Sequence, residues 1–152
     1  MIVDTSRNGW GGCGGSSAVS QPCRPTGPSN STDLNTFVNL SRTDRRPAKG
    51  DWCNQNGAGI GAIPQANPPG GVFQAYVWVK PPGESDGSSS LIPPGPENPG
   101  GKGFDQMCDP NYPGNALNNN KPTNALPNAP VSGRWFSAQF IQLVQNANPP
   151  IP

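Results

Sequence analysis

The sequence contains no histidine among its 152 residues. Histidine is the usual general base of Ser-His-Asp and Cys-His enzymes and a common zinc ligand, so its absence excludes those catalytic arrangements and most zinc sites. Charged residues are also scarce, at 12%, and the formal net charge is only +1. Because no basic surface is available to neutralise phosphates, nucleic acid is not expected as a partner.

Long apolar runs are missing as well. No stretch approaches the ~18 apolar residues that a membrane-spanning helix needs, so we expect no membrane association of that kind. Residues 1–7 lack the basic and long apolar segments of a signal peptide. They are typical of the interior of a protein, and we expect the chain to be part of a longer one.

Glycine and proline are abundant, with 20 and 21 residues respectively. Together they exceed a quarter of the chain, a share at which disorder must be considered. However, disordered chains usually combine few aromatic residues with high net charge, whereas this chain has four Trp, five Phe and two Tyr and almost no net charge. Short apolar segments between long polar stretches favour a rigid scaffold that carries long ordered loops.

Two short segments predict β-strands. Residues 1–5 are a short run of β-type residues, and residues 73–80 are rich in β-branched and aromatic side chains and end at Pro81-Pro82-Gly83. A long stretch of Pro, Gly, Asn and Ser follows up to Pro130. In a compact domain so long a loop is expected to be either functional or disordered.

Two helices are predicted. One begins at Ser31 or Thr32 and ends near Arg46, and the other begins at about Ser132, its N-cap, and ends near Asn146. Two strands and two helices are too few to bury a core for this length, so we expect the chain to belong to a larger sheet-containing domain. Helical spacing predicts one inward face of the second helix, formed by Trp135, Phe136, Gln139, Phe140, Leu143, Val144 and Ala147.

Charged side chains follow both predicted strands. Arg7 comes after the first strand, and Lys80, Glu84 and Asp86 come after the second in a turn bracketed by glycines. One interpretation is a solvated turn with an acidic pair. The other is a substrate site: if the strands are parallel neighbours, the four side chains converge at one rim, where α/β folds place their active sites.

Tryptophan occurs in two settings. Trp10 and Trp52 lie in polar loops, where an exposed indole offers a flat apolar face that suits the C–H surface of a pyranose ring. A partly buried loop anchor is the alternative for both. Trp78 and Trp135 lie in strand and helix patterns, and we expect them to pack in the core.

Four cysteines allow three disulfide pairings. Local pairing of Cys13 with Cys23 and of Cys53 with Cys108 is favoured, because the first two share one loop while the other two bracket the better strand. Metal binding is not expected, since the sequence has neither a Cys-x-x-Cys motif nor histidine. Disulfides favour an oxidising compartment and therefore export.

Six blocks of sequence follow one another along the chain: Asp-Thr-Ser-Arg-Asn-Gly-Trp-Gly-Gly (4–12), Arg-Pro-Thr-Gly-Pro (24–28), Thr-Asp-Leu-Asn-Thr-Phe-Val (32–38), Gly-Asp-Trp-Cys-Asn-Gln (50–55), Ala-Tyr-Val-Trp-Val-Lys-Pro-Pro-Gly-Glu-Ser-Asp-Gly (75–87) and Trp-Phe-Ser-Ala-Gln-Phe (135–140). In this order they resemble glycoside hydrolase family 6, and bacterial cellobiohydrolases above all. The resemblance runs over nearly the whole chain. Because the catalytic domain of that family is more than twice this length, residues 1–152 are expected to form its C-terminal part.

The resemblance implies an α/β fold, namely the C-terminal portion of a distorted, incomplete β/α barrel with long ordered loops. It also implies hydrolysis of β-1,4-glucosidic bonds in cellulose or cello-oligosaccharides with inversion, without a cofactor, by a secreted and monomeric enzyme. Residues 88–127 match a loop that covers the active site in exo-acting members. An exo-type cellobiohydrolase is therefore favoured over an endoglucanase.

The resemblance also implies roles for individual residues. Asp86 matches the carboxylate proposed as catalytic base, and Arg7 and Lys80 match the cations that support it. Lys80 and Glu84 match sugar contacts, and Trp52 matches a stacking platform.

Other implications concern what the chain lacks and what stabilises it. No position matches the aspartate that serves as general acid, so the chain alone is expected to be inactive. Cys53 and Cys108 match a family disulfide, whereas Cys13 and Cys23 lie in what looks like an insertion. Two further hypotheses stay open: a non-catalytic carbohydrate-binding fragment that uses Trp52 and Trp10, and a structural Pro/Gly-rich segment without a ligand.

Overall fold

The computed structural model describes residues 2–9, 30–34, 36, 48, 50–68 and 73–152. The chain divides into two compact units. The strand unit comprises the described residues 2–9, 57–68, 73–83 and 137–152. The loop unit comprises the described residues 30–34, 36, 48, 50–56 and 84–136.

Three short strands form the sheet of the strand unit: β1 (Ile2–Asp4), β2 (Gln65–Ala66) and β3 (Ala75–Val77). The sheet order is β1-β3-β2, with β1 parallel and β2 antiparallel to β3. The two strands predicted from sequence are therefore parallel neighbours, as the substrate-site interpretation requires. Both are shorter than predicted, at three residues each.

Strand β2 was not predicted from the sequence. It has two residues, both exposed, and it shows no alternation of apolar and polar side chains. The chain enters β2 only because Gln65 and Ala66 pair with Tyr76 and Ala75 of β3. Such a pairing depends on tertiary contacts, and local sequence carries no signal for it.

Helix α1 (Ser137–Gln145) packs on the strand unit through Gln139 and Leu143, which are buried. Leu143 forms an apolar cluster with Ala58 and Ile60, against which Trp78 is partly buried. The core positions predicted for Leu143 and Trp78 are thus confirmed. Val144, in contrast, is 40% exposed, so its assignment to the inward face was wrong.

The predicted start of this helix at Ser132 was also wrong. Gly133 has a φ of +81°, which an α-helix cannot contain. Residues 133–135 instead pair with the segment 84–85: the Gly133 N–H donates to Ser85 O, Ser85 N–H donates to Arg134 O, and Glu84 forms a β-bridge with Trp135. This competing pairing delays the helix by five residues, to Ser137.

Trp135 is a second correction in the same segment. Core packing was predicted for it, but its side chain is 59% exposed because it precedes the helix, on the extended bridge to Glu84. Its neighbour Phe136 is buried instead, in an apolar cluster with Leu126 and Ala129.

Most of the first predicted helix lies outside the described residues. At its beginning, the backbone of Leu34 and Thr36 is helical. The Thr36 N–H donates to the Asp33 carboxylate at 2.8 Å, the geometry of an N-cap residue bonded to the third helical position. The cap is therefore Asp33 rather than Ser31 or Thr32.

The long polar segment of the loop unit is held by buried amide side chains. Asn98 is 1% exposed; its amide nitrogen donates to Ile92 O and Lys102 O at 2.8 and 2.9 Å, and its oxygen accepts from Lys102 N–H at 2.8 Å. Asn118, fully buried, donates to the carboxylate of Asp51 at 3.1 Å. Within residues 84–130, all of which the structure describes, such side-chain hydrogen bonds hold the backbone, together with two 3-10 turns at Gln106–Cys108 and Ala116–Asn118.

Within the described ranges, no helix has the length and apolar character required to traverse a membrane.

Candidate active site

Arg7 and Lys80 lie in the strand unit, beyond the carboxyl ends of the adjacent parallel strands β1 and β3. Asp4, the last residue of β1, ties these ends together. Its carboxylate accepts from the Ser6 N–H at 2.9 Å and from the Lys80 N–H at 3.3 Å. The Thr5 N–H also donates to Val77 O at 2.8 Å, so the pairing continues past β1. Parallel strand pairing therefore brings the backbones that carry the two predicted cations to one edge of the sheet.

Asp86 lies in the loop unit, where it forms a reciprocal pair of hydrogen bonds with Asn54. The Asn54 N–H donates to Asp86 Oδ2 at 2.7 Å. In return, the Asp86 N–H donates to Asn54 Oδ1 at 2.8 Å. Both the backbone and the carboxylate of Asp86 are thus bonded to one residue that lies 32 positions earlier in the chain.

Further bonds fix the turn that contains Asp86. The Asn54 amide nitrogen donates to Gly87 O at 2.8 Å, and the Ser85 hydroxyl donates to Pro130 O at 2.7 Å. Asn54 and Ser85 are both fully buried. Asp86 itself is half-buried. It is therefore partly accessible to solvent, although the backbone of its turn is held by hydrogen bonds.

A disulfide joins Cys53 to Cys108 with their Cα atoms 5.1 Å apart, which confirms that predicted pair. It packs against the same turn. A Cβ atom placed on Gly87 would lie 2.7 Å from Cys108 Sγ, closer than atoms can approach without displacement. Glycine at position 87 therefore lets the Asp86 turn approach the disulfide.

Trp52 is 44% exposed and lines a cavity of about 600 Å³ in the loop unit. Phe104 and Tyr112 add aromatic surface to this cavity, and Asp105 and Gln106 add polar groups. An accessible indole beside polar side chains is a suitable arrangement for a sugar ring, whose faces are apolar and whose rim carries hydroxyls. Trp52 precedes Asn54, the partner of Asp86, by two residues.

Glu84 is half-buried in the loop unit and pairs through its backbone with Trp135. Trp135 lines a second cavity of about 870 Å³, together with Glu97, Asn111 and Arg134. Residues of the long segment, among them Glu97 and Asn111, line one part of this cavity. Two bonds join that segment to residues 132–134: the Arg134 guanidinium donates to Pro96 O at 3.1 Å, and Lys102 Nζ donates to Ser132 O.

The structure thus groups the predicted site residues in two sets. Arg7 and Lys80 belong to the strand unit, while Trp52, Glu84 and Asp86 belong to the loop unit. Convergence of the whole set on one rim stays a prediction. The remaining predicted residues, Trp10, Cys13 and Cys23, lie outside the described residues. In the described ranges, no three acidic or cysteine side chains are grouped so that they could hold a metal ion.

The sequence profile of glycosyl hydrolases family 6 matches residues 1–147. The chain belongs to this family. It is 52% identical to exoglucanase A of Cellulomonas fimi over 154 aligned residues, which cover 99% of this chain and 16% of that protein. The chain therefore spans about a sixth of this curated relative.

Solved structures of family 6 members match the fold as well. The catalytic domain of Cellulomonas fimi Cel6B matches with a TM-score of 0.73 at 51% identity, over 99% of this chain and 32% of that one. A cellobiohydrolase of Humicola insolens, solved in complex with glucose and cellotetraose, matches with a TM-score of 0.54 at 29% identity, over 99% of this chain and 28% of that one.

Two residues of this family 6 chain that contact the candidate site were not singled out in the sequence. Asn54 and Asp4 stood only as members of matching blocks, and Asp4 also as part of the predicted strand 1–5. The spacing of Asn54 from Asp86 gives no local signal, because a hydrogen bond across 32 residues depends on the fold. The only local signal for Asn54 in the sequence is its position directly after Cys53, a predicted disulfide residue.

Proposed function

We propose that this chain supplies the part of the active site that carries the catalytic base in a β-1,4-glucan hydrolase. The enzyme would act on cellulose and cello-oligosaccharides with inversion. The observation that carries the proposal is the hydrogen-bonded link between the Asp86 carboxylate and Asn54, two residues after an exposed tryptophan. It joins an oriented carboxylate to a surface that suits a sugar ring. Membership of family 6 and the 52% identity to an exoglucanase supply the substrate class.

In an inverting glycosidase, one carboxylic acid protonates the leaving oxygen while a second carboxylate activates a water molecule on the opposite face of the sugar. Asp86 is proposed as that second carboxylate. Arg7 and Lys80 would stabilise its negative charge, Lys80 and Glu84 would contact sugar hydroxyls, and Trp52 would stack on a pyranose ring.

The general acid is proposed to lie outside this chain, which covers 32% of a related catalytic domain. The chain is accordingly proposed to be the C-terminal part of a distorted α/β barrel and to be inactive when isolated. The Cys53–Cys108 disulfide supports a secreted protein, because disulfides persist in oxidising environments. A monomeric state is proposed together with these properties.

Exo action is proposed over endo action. The support is the long segment between residues 88 and 127, whose buried amide side chains and cation-to-carbonyl bonds give it a defined conformation. A loop of defined conformation is suited to cover a bound glucan chain and retain it between cleavages. Cellobiose is then the expected product, whereas release of mixed longer oligosaccharides would identify an endoglucanase.

The test is the Asp86→Ala variant of the whole protein, assayed for reducing sugar on cello-oligosaccharides. We expect kcat to fall by about 10²–10⁴-fold, the usual contribution of a general base, while calorimetry still detects oligosaccharide binding. Asp109→Ala is the matched control, because Asp109 lies in the same unit and its carboxylate accepts a local bond from the Asn111 N–H at 2.8 Å, whereas its longer-range bond from the Thr123 hydroxyl goes to the backbone carbonyl, which alanine keeps. Unchanged turnover in Asp86→Ala would remove Asp86 from the chemistry. Binding by a wild-type protein that lacks turnover would instead favour a carbohydrate-binding fragment.

A further inference from the structure

We propose that Asn54 is a positioning residue for Asp86: its side chain holds the backbone of the turn that carries the carboxylate, and it acts without contacting the sugar. The inference rests on the proposed function, since it presumes that Asp86 takes part in the reaction. Nothing in the composition or spacing of the sequence suggested it. The contacts around the turn at residues 85–87 carry it.

The reciprocal hydrogen bonds constrain two different parts of Asp86. The side-chain Oδ1 of Asn54 accepts from the Asp86 N–H and so fixes the backbone, while the backbone N–H of Asn54 donates to Oδ2 and so restricts rotation of the carboxylate about its side-chain torsions. With one carboxylate oxygen held at 2.7 Å, the direction of the other, Oδ1, is set as well. A base must lie within about 3.2 Å of the water it activates, so the direction of that oxygen governs the reaction.

The Asn54 amide can adopt only one orientation here. Its oxygen faces the Asp86 N–H, and its nitrogen faces the carbonyl oxygen of Gly87 at 2.8 Å. A rotation of 180° would place the oxygen against that carbonyl and the NH₂ group against the N–H, so both contacts would become repulsive. Bonding to both the Asp86 N–H and Gly87 O requires a side chain of this length with one acceptor and one donor. Aspartate lacks the donor, and alanine lacks both groups.

The surroundings of Asn54 make it a rigid support. Its side chain is fully buried, and its φ of +35° lies in the left-handed region, where asparagine is tolerated better than most residues. The preceding residue, Cys53, is linked to Cys108, whose sulfur lies directly against Gly87. Asn54 is therefore held next to the disulfide that packs against the same turn.

The experiment compares Asn54→Ala and Asn54→Asp with Asn124→Ala in the whole protein. Asn124 is a matched control, because it also has a positive φ, at +56°, lies in the same unit and donates to a backbone carbonyl, Asn56 O, at 2.9 Å. Both Asn54 variants keep the backbone N–H that bonds Oδ2 but lose the side-chain bond to Gly87 O, and alanine also loses the bond to the Asp86 N–H. Because the turn is then free to shift, we expect both variants to lower kcat by about 10–100-fold, the loss typical of a misplaced catalytic group. KM for cellotetraose should stay within about two-fold, because sugar contacts are retained. Asn124→Ala should leave kcat and KM at wild-type values.

A double variant separates positioning from general support of the fold. In the Asp86→Ala background, Asn54→Asp should cause no further loss of turnover, because there is no carboxylate left to position. An equal loss in both backgrounds, wild-type kcat in the Asn54 variants, or failure of both variants to fold would each overturn the proposal. If only Asn54→Ala fails to fold, Asn54→Asp decides, since it keeps the shape of the side chain.

The two proposals fail in distinguishable ways. Wild-type turnover in Asp86→Ala overturns the role of Asp86 and, with it, that of Asn54. An inactive Asp86→Ala beside fully active Asn54 variants overturns the positioning role alone and leaves the proposed function intact.

Discussion

Removal of the Cys53–Cys108 disulfide tests how much of the site's stability comes from one covalent link. The change is the double variant Cys53→Ala/Cys108→Ala, which leaves no unpaired thiol at the site. The bond joins residues 55 positions apart. In the chain-entropy account, a closed loop of that length stabilises the folded state by about 4 kcal/mol at 25 °C. That corresponds to a loss of about 10³-fold in the folding equilibrium constant.

The measurement is urea unfolding of the whole protein, followed by tryptophan fluorescence, for the wild type and the double variant. The exposed Ser90→Ala variant in the same unit is the control, with an expected change within about 0.5 kcal/mol. Turnover should fall together with stability, because Gly87 lies against the disulfide and Asn54 directly follows Cys53. A destabilisation below about 1 kcal/mol would refute the reasoning, since the hydrogen bonds around Asn54 would then hold the turn without the disulfide.

Two further predictions concern packing, one in each unit. Leu143→Ala should destabilise the protein by about 2–5 kcal/mol, because Leu143 is fully buried. Ile141→Ala is the control: Ile141 lies on the same helix but is 54% exposed, so the unfolding free energy should change much less. Equal losses of stability in thermal unfolding would contradict the assignment of Leu143 to the core. Gly87→Ala should lower the free energy of unfolding by about 1–3 kcal/mol and lower turnover, because its Cβ would lie 2.7 Å from Cys108 Sγ. Gly103→Ala is the control, since a Cβ at position 103 meets nothing within 4 Å, and it should match the wild type in stability and turnover. Wild-type behaviour of Gly87→Ala would show that the turn can move away from the disulfide.

The sequence predicted the elements whose signal is local. A run of β-type residues located β1, β-branched and aromatic residues located β3, and helical spacing located the buried positions Gln139 and Leu143 of α1. The ordered blocks identified the family, since six motifs in sequence carry far more information than one. The Cys53–Cys108 pair also came from the sequence, because the family resemblance and loop positions agreed.

Boundaries and exposure were decided by tertiary contacts. Helical spacing alone predicted a helix beginning at Ser132, but the backbone pairing of residues 133–135 with 84–85 competes with the helix and delays it to Ser137. The same pairing leaves Trp135 exposed, although its spacing is that of a core residue. Local propensity cannot anticipate a competing partner from fifty residues away.

The chemistry of the candidate site shows the same division. Residue type and order were enough to single out Arg7, Lys80, Glu84 and Asp86 as charges following strands. The fold alone supplied the partner that orients the carboxylate, because Asn54 reaches Asp86 across 32 residues of chain. Sequence thus determined which charged groups the candidate site contains, and three-dimensional packing determined how one of them is held, since hydrogen-bond geometry exists only after distant segments have come together.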